Sequence, residues 1–127
     1  MKLKEKIPVR GDVVLYRWKV DDVKTKQACL DLALKASGVG KLDHIECKGY
    51  SDMDTWGNYC SFKSAADFKS GMKQVQQIDA DTVTVFLKIG NAAVNVTVNP
   101  IWDNESGTYM NVMGVEDAVK KVSAALK

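Results

Sequence analysis

One histidine, two prolines, three cysteines and three phenylalanines are spread over 127 residues, and each scarcity removes a class of protein. A lone imidazole, His44, cannot build a multi-histidine metal centre, and it leaves general acid–base chemistry few places to sit. Three cysteines cannot all pair internally, and a chain of this length buries enough surface to fold without a disulfide framework. Cys29, Cys47 and Cys60 are therefore expected as free thiols, which fits a cytoplasmic protein. No window approaches the roughly 20 apolar residues that span a bilayer, so no membrane contact is expected. The opening MKLKEKIPV puts no apolar stretch behind its charges and does not read as a secretory leader. Nor does one sign of charge dominate. Eighteen basic and 16 acidic side chains leave a net charge of +2, too little to imply nucleic acid or an anionic membrane.

Catalytic and cofactor signatures are missing as well. There is no G-x-x-x-x-G-K-[ST] loop, and Gly38-Val39-Gly40 sits where a helix ends rather than where one opens. No G-x-S-x-G elbow or H-E-x-x-H helix occurs. Asp52-Met53-Asp54 resembles the start of a calcium loop, but the glycine and distal glutamate that such a loop requires are absent. His44 and Cys47 lie three apart on an expected strand, so they point to opposite faces and form neither a nucleophile pair nor, with Cys60, a zinc site. The expectation is no metal, no cofactor and no catalytic residue. That argument against an enzyme rests on absences, which weigh less than a positive sign.

What is present is periodicity. Asp12–Val20 is rich in β-branched and aromatic residues and reads as a strand, with Val14, Tyr16, Trp18 and Val20 on one face. Asp21 and Asp22 offer a cap to a helix over 23–37, which Gly38 is placed to end in the left-handed conformation. Asp43–Tyr50 and Asn58–Lys63 read as two further strands. Ser64-Ala65-Ala66-Asp67 resembles a capping box for a second helix reaching Gln77, with Gly71 inside it. Thr82–Ile89 and Val94–Asn99 alternate strictly on either side of Gly90-Asn91, a hairpin with one dry and one wet face. Thr108–Met113 and a helix over 115–126 complete the chain. Residues 1–127 are expected to form a single α+β domain of order β-α-β-β-α-β-β-β-α, preceded by a basic arm over 1–11. Its first six elements match a ferredoxin-like split β-α-β core, extended by two strands and a C-terminal helix, with an antiparallel sheet and helices on one face.

Two surfaces invite a partner. Tyr50, Asp52, Asp54 and Trp56 lie in or beside one loop, and Trp102, Asp103 and Glu105 lie in another. Aromatics rimmed by carboxylates suit a small non-enzymatic domain that engages a protein, as an inhibitor or immunity-type neutraliser does. The competing surface is the wet sheet face. There Phe86 and Lys88, with Arg17 and Lys19 on an expected neighbouring strand, echo the chemistry of single-stranded nucleic-acid binding. A third reading is a small-molecule or enzymatic pocket lined by Trp18, Tyr59 and Tyr109. Homodimerisation is a further expectation if the second or sixth strand lies at a sheet edge.

Overall fold

The computed structural model describes residues 1–20, 23, 25–51, 54–77, 82–100 and 108–127. Its elements run β1 (Lys2–Arg10), β2 (Val13–Val20), α1 (Lys26–Ser37), β3 (Lys41–Ser51), β4 (Asp54–Phe62), α2 (Ala65–Ser70), α3 (Met72–Gln77), β5 (Thr82–Ile89), β6 (Ala92–Pro100), β7 (Thr108–Val115) and α4 (Glu116–Leu126). The fold is a mixed α+β one, built on a single seven-stranded sheet of order β1-β2-β7-β6-β5-β3-β4. Every neighbouring pair is antiparallel.

The split β-α-β arrangement is not what the chain builds. It would bring the strand before α1 against one of the next three strands, whereas β2 pairs only with β1 and β7. The physical reason lies in the last three strands. β5, β6 and β7 pair in succession, and this meander is inserted between β2 and β3. Helix α1 therefore crosses the full width of the meander. The basic arm is also corrected: residues 2–10 form β1, an edge strand paired with β2. Gly11, at φ 57°, makes the turn of that hairpin, as Gly90, at φ 62°, makes the turn of the β5–β6 hairpin. Both need the left-handed conformation that glycine adopts without steric cost. Strands β3 and β7, each a candidate for a dimerising edge, lie inside the sheet; its edges are β1 and β4.

Alternation decides which face is dry. Val83, Val85 and Leu87 of β5, Val94, Val96 and Val98 of β6, and Met110 and Val112 of β7 are all buried. Tyr16, Trp18 and Val20 of β2 and Ile45 and Cys47 of β3 extend the same surface. The helices cover it with Leu30 and Ala33 of α1, Phe68 of α2, Val75 of α3, and Val119 and Val122 of α4, forming one contiguous core. The Trp18 indole N–H donates to Ser123 Oγ at 3.1 Å, fixing α4 against β2.

Helix ends follow local chemistry, with three departures from expectation, the first being that α1 begins at Lys26 and is not capped by Asp21 or Asp22. α1 is capped by Thr25, whose Oγ1 accepts from the Ala28 amide at 3.1 Å. Gly38 closes it in a right-handed conformation, at φ −92°. Ser64 caps α2 as expected, accepting from the Asp67 amide. The expected single helix after Ser64 is two short ones, broken at Gly71. A Cβ there would lie 2.5 Å from Phe62 Cε1, so the aromatic ring of β4 sits directly on the glycine.

Val85 and Val96 are both fully buried on facing strands. Val85→Asp or Val96→Asp would bury a charge without a partner and should cost more than about 4 kcal/mol, leaving the chain unfolded by circular dichroism at room temperature. Retention of the native melting temperature would show that the dry face is assigned the wrong way round. Ser123→Ala strands the Trp18 N–H in the core and should lower stability by roughly 1–3 kcal/mol in urea unfolding.

Candidate functional site

The sheet face away from the helices carries the polar half of every alternating strand. Its register aligns one residue from each of the seven strands in a single row: Ser61, Glu46, Thr84, Thr97, Asn111, Arg17 and Glu5. Directly opposed side chains in such a ladder lie about 4.5–5.5 Å apart, close enough to interact along the row. Thr84 and Thr97 share a hydroxyl–hydroxyl hydrogen bond at 3.2 Å. The Arg17 guanidinium lies 4.2 Å from the centre of the Tyr109 ring.

At the β3 end, the row meets an ionic cluster. A bulge in β3 between Leu42 and His44 breaks the pairing with β5 at Asp43. His44 Nδ1 lies 2.5 Å from Asp43 Oδ2, and Nε2 lies 3.2 Å from Glu46 Oε1. The Tyr59 hydroxyl donates to the same Glu46 oxygen at 3.4 Å, and Lys48 Nζ stands 3.9 Å from Glu46 Oε2. The hydrogen bond to Asp43 is the main reason that the His44 pKa rises above its ordinary 6.5, and Glu46 adds to the effect. An imidazole with both nitrogens held by carboxylates is an organising group rather than a free base.

The imidazole also stacks on Phe86 of the adjacent strand, with ring centres 4.3 Å apart and planes 9° from parallel. That spacing matches the distance between neighbouring strands, about 4.8 Å, so both rings stand upright on the sheet and turn their edges to solvent. Phe86 and Lys88 lie on β5 as expected. Arg17 and Lys19 do not lie on a neighbouring strand: β7 and β6 intervene, putting β2 about 14 Å away. The four residues share a face without forming one cluster.

The other end of the open face is apolar. Leu15 of β2 is paired with Ile7 of β1 and Met113 of β7, and Val13 is paired with Val115. Leu15, Val13 and Met113 are half-buried and Ile7 is exposed, although no described helix packs on them, whereas Val115, where α4 begins, packs against the core. Arg10, opposite Val13, and Arg17, two residues beyond Leu15, border this block. It was legible only in part. Leu15 and Val13 alternate with the core residues of β2, but their apolar neighbours became visible only with the β1–β2–β7 order.

Among the other candidates, Asp52, Trp102, Asp103 and Glu105 lie outside the described residues, and Tyr50, Asp54 and Trp56 are described only as strand backbone in β3 and β4. Trp18, Tyr59 and Tyr109 do not line a common cavity. Trp18 is buried under α4, whereas Tyr59 and Tyr109 belong to the opposite face. Among the described residues no group of three or more acidic, histidine or cysteine side chains could hold a metal ion. No described helix is long and apolar enough to cross a membrane. In comparisons with protein-family models, curated proteins and solved structures, the chain matches none.

The raised His44 pKa carries a pH dependence. The unfolded imidazole titrates near 6.5 and the folded one higher, so its stabilisation is complete below the unfolded value. It is lost as the pH climbs through the folded value. The melting temperature of the native chain should therefore fall more than that of His44→Gln between about pH 6 and 9. Parallel melting curves for the two proteins would show that the carboxylates do not hold the imidazolium.

Proposed function

We propose that this chain is a non-enzymatic domain that binds a protein partner through the helix-free face of its sheet, centred on Leu15 and Met113. The observation that carries this reading is the contiguous apolar block of Ile7, Val13, Leu15 and Met113 on a face that elsewhere presents mainly polar and aromatic side chains. Contiguous apolar surface rimmed by charge is the anatomy of a binding patch. The Arg10 and Arg17 rim favours a partner that sets carboxylates around its own apolar centre.

Single-stranded nucleic acid is less well supported. Base stacking needs an aromatic face parallel to the sheet surface, and Phe86 offers an edge because His44 stands against its ring. Asp43 and Glu46 would also repel phosphates near that point. The segments bearing Tyr50, Asp52, Asp54, Trp56, Trp102, Asp103 and Glu105 stand as a second contact surface in the proposal. The strands that flank them end on the same side of the sheet, β3–β4 running past the Lys48–Thr82 pair to Ser51 and Asp54, and β6–β7 ending beside Val20. That is the far end from Val13, roughly 20 Å along the strands. The two surfaces can therefore be separated by substitution.

The test is an affinity capture from lysate with and without nuclease, repeated with Leu15→Lys and Met113→Lys after each variant is shown to be folded. The expected result is a stoichiometric protein that survives nuclease and is lost at least tenfold with either lysine variant, equal to about 1.4 kcal/mol of binding energy. Loss with Trp56→Ala or Trp102→Ala alone would move the contact to those segments. Loss of all partners on nuclease treatment would overturn the protein-binding reading.

A further inference from the structure

Cys47 and Cys60 face each other directly across β3 and β4. Both are free, both point to the dry face, and no residue separates them in the ladder. Opposed residues in an antiparallel pair keep their Cβ atoms about 4.5–5.5 Å apart, while a disulfide asks for about 3.5–4.5 Å. Closing that gap takes a small sideways movement of one strand. β4 is the strand able to make it, because it lies at the sheet edge and has no ladder partner on its far side. The third cysteine has no such opportunity. Cys29 lies in α1, with its thiol 3.8 Å from Thr108 Oγ1.

We propose that Cys47 and Cys60 are a site of reversible oxidation, forming a disulfide across the β3–β4 ladder by exchange with a low-molecular-weight disulfide of the glutathione class. Cys60 is the entry point, being 8% exposed on the edge strand, whereas Cys47 is fully enclosed. The Cys60 thiolate attacks one sulfur of the small disulfide, forming a mixed disulfide and releasing one small thiol. Cys47 then attacks the Cys60 sulfur, forming the protein S–S bond and releasing the second small thiol. Two protein S–H groups lose two protons and two electrons, and the small disulfide takes them up as two thiols. Burial pushes the Cys47 pKa up to about 12, and the neighbouring Cys60 adds to this. The second step is therefore the slow one at neutral pH, and it accelerates as the pH rises.

The test is intact-mass and peptide mapping of the folded chain after incubation with oxidised glutathione at about pH 7 and pH 9. The expected product has lost two hydrogens, contains a Cys47–Cys60 linked peptide, leaves Cys29 reduced and returns to the dithiol with a reductant. It should form at least tenfold faster at the higher pH. Cys47→Ser should stop at the glutathione adduct on Cys60, and Cys60→Ser should give no internal bond. Two stable glutathione adducts on the native chain, a disulfide between chains, or thiols that stay free while the protein is folded would each overturn the proposal. The measurement on the native chain decides the matter even if a serine variant fails to fold.

Discussion

The register of the β5–β6 hairpin is the constraint on which the other elements depend. Gly90 and Asn91 close it in two residues, so Val83, Val85 and Leu87 stand opposite Val98, Val96 and Val94. Because side chains alternate with a period of two, a slip of one residue would turn the entire apolar set to solvent. β7 then pairs with β6 and β2 with β7, each adding its own buried residues to the same surface. On the other flank, β3 joins β5 and puts Ile45 and Cys47 in line. Helices α1 and α4 have one dry face to cover, and the cross-link between Trp18 and Ser123 fixes where the last of them lies.

The same register organises the wet face. Since each dry residue has a fixed partner, each wet one does too, and the row from Ser61 to Glu5 follows from the ladder without further design. Within it, chemistry grades from one edge to the other. Carboxylates, imidazole and phenol gather at β3 and β4, threonines bond in the middle, and Arg17 stacks on Tyr109 near β2. Beyond that row, the pattern fails to stay polar. Leu15 and Met113 meet where a solvated sheet would place threonine or lysine, and this departure singles the block out from its surroundings.

Much of the architecture was readable in the chain itself. Strict alternation located β5 and β6, and the aromatic and β-branched run located β2 with its faces correctly assigned. Ser64 announced its helix, and the spacing of His44 and Cys47 correctly put them on opposite faces. Strand order was not readable, because antiparallel partners are chosen by three-dimensional packing and nothing local marks β7 as the neighbour of β2. β1 was missed because its alternation is dominated by lysines, which suit an edge strand as well as a solvated arm. The apolar block was hidden for the same reason: its members are far apart in sequence and harmless one by one. Ile7, Leu15 and Met113 become a surface only after the sheet has brought them together.

The two edges of the sheet solve their exposure differently. β1 carries Lys2, Lys4 and Lys6, has Pro8, which donates no hydrogen bond, and shows register shifts beside Leu3 and beyond Pro8. Charge, a missing donor and bulges are the devices that discourage another strand from pairing. β4 has neither lysine nor proline between Asp54 and Phe62. Its anchorage comes from below, through Phe62 against Phe68, with ring centres 5.6 Å apart, and through Cys60 beside Cys47. An edge held on one side by a single ladder gains most from a covalent bond to that ladder, since the bond removes the opening that strand exchange requires. The thiol pair thus sits on the ladder that alone joins the β4 edge to the rest of the sheet.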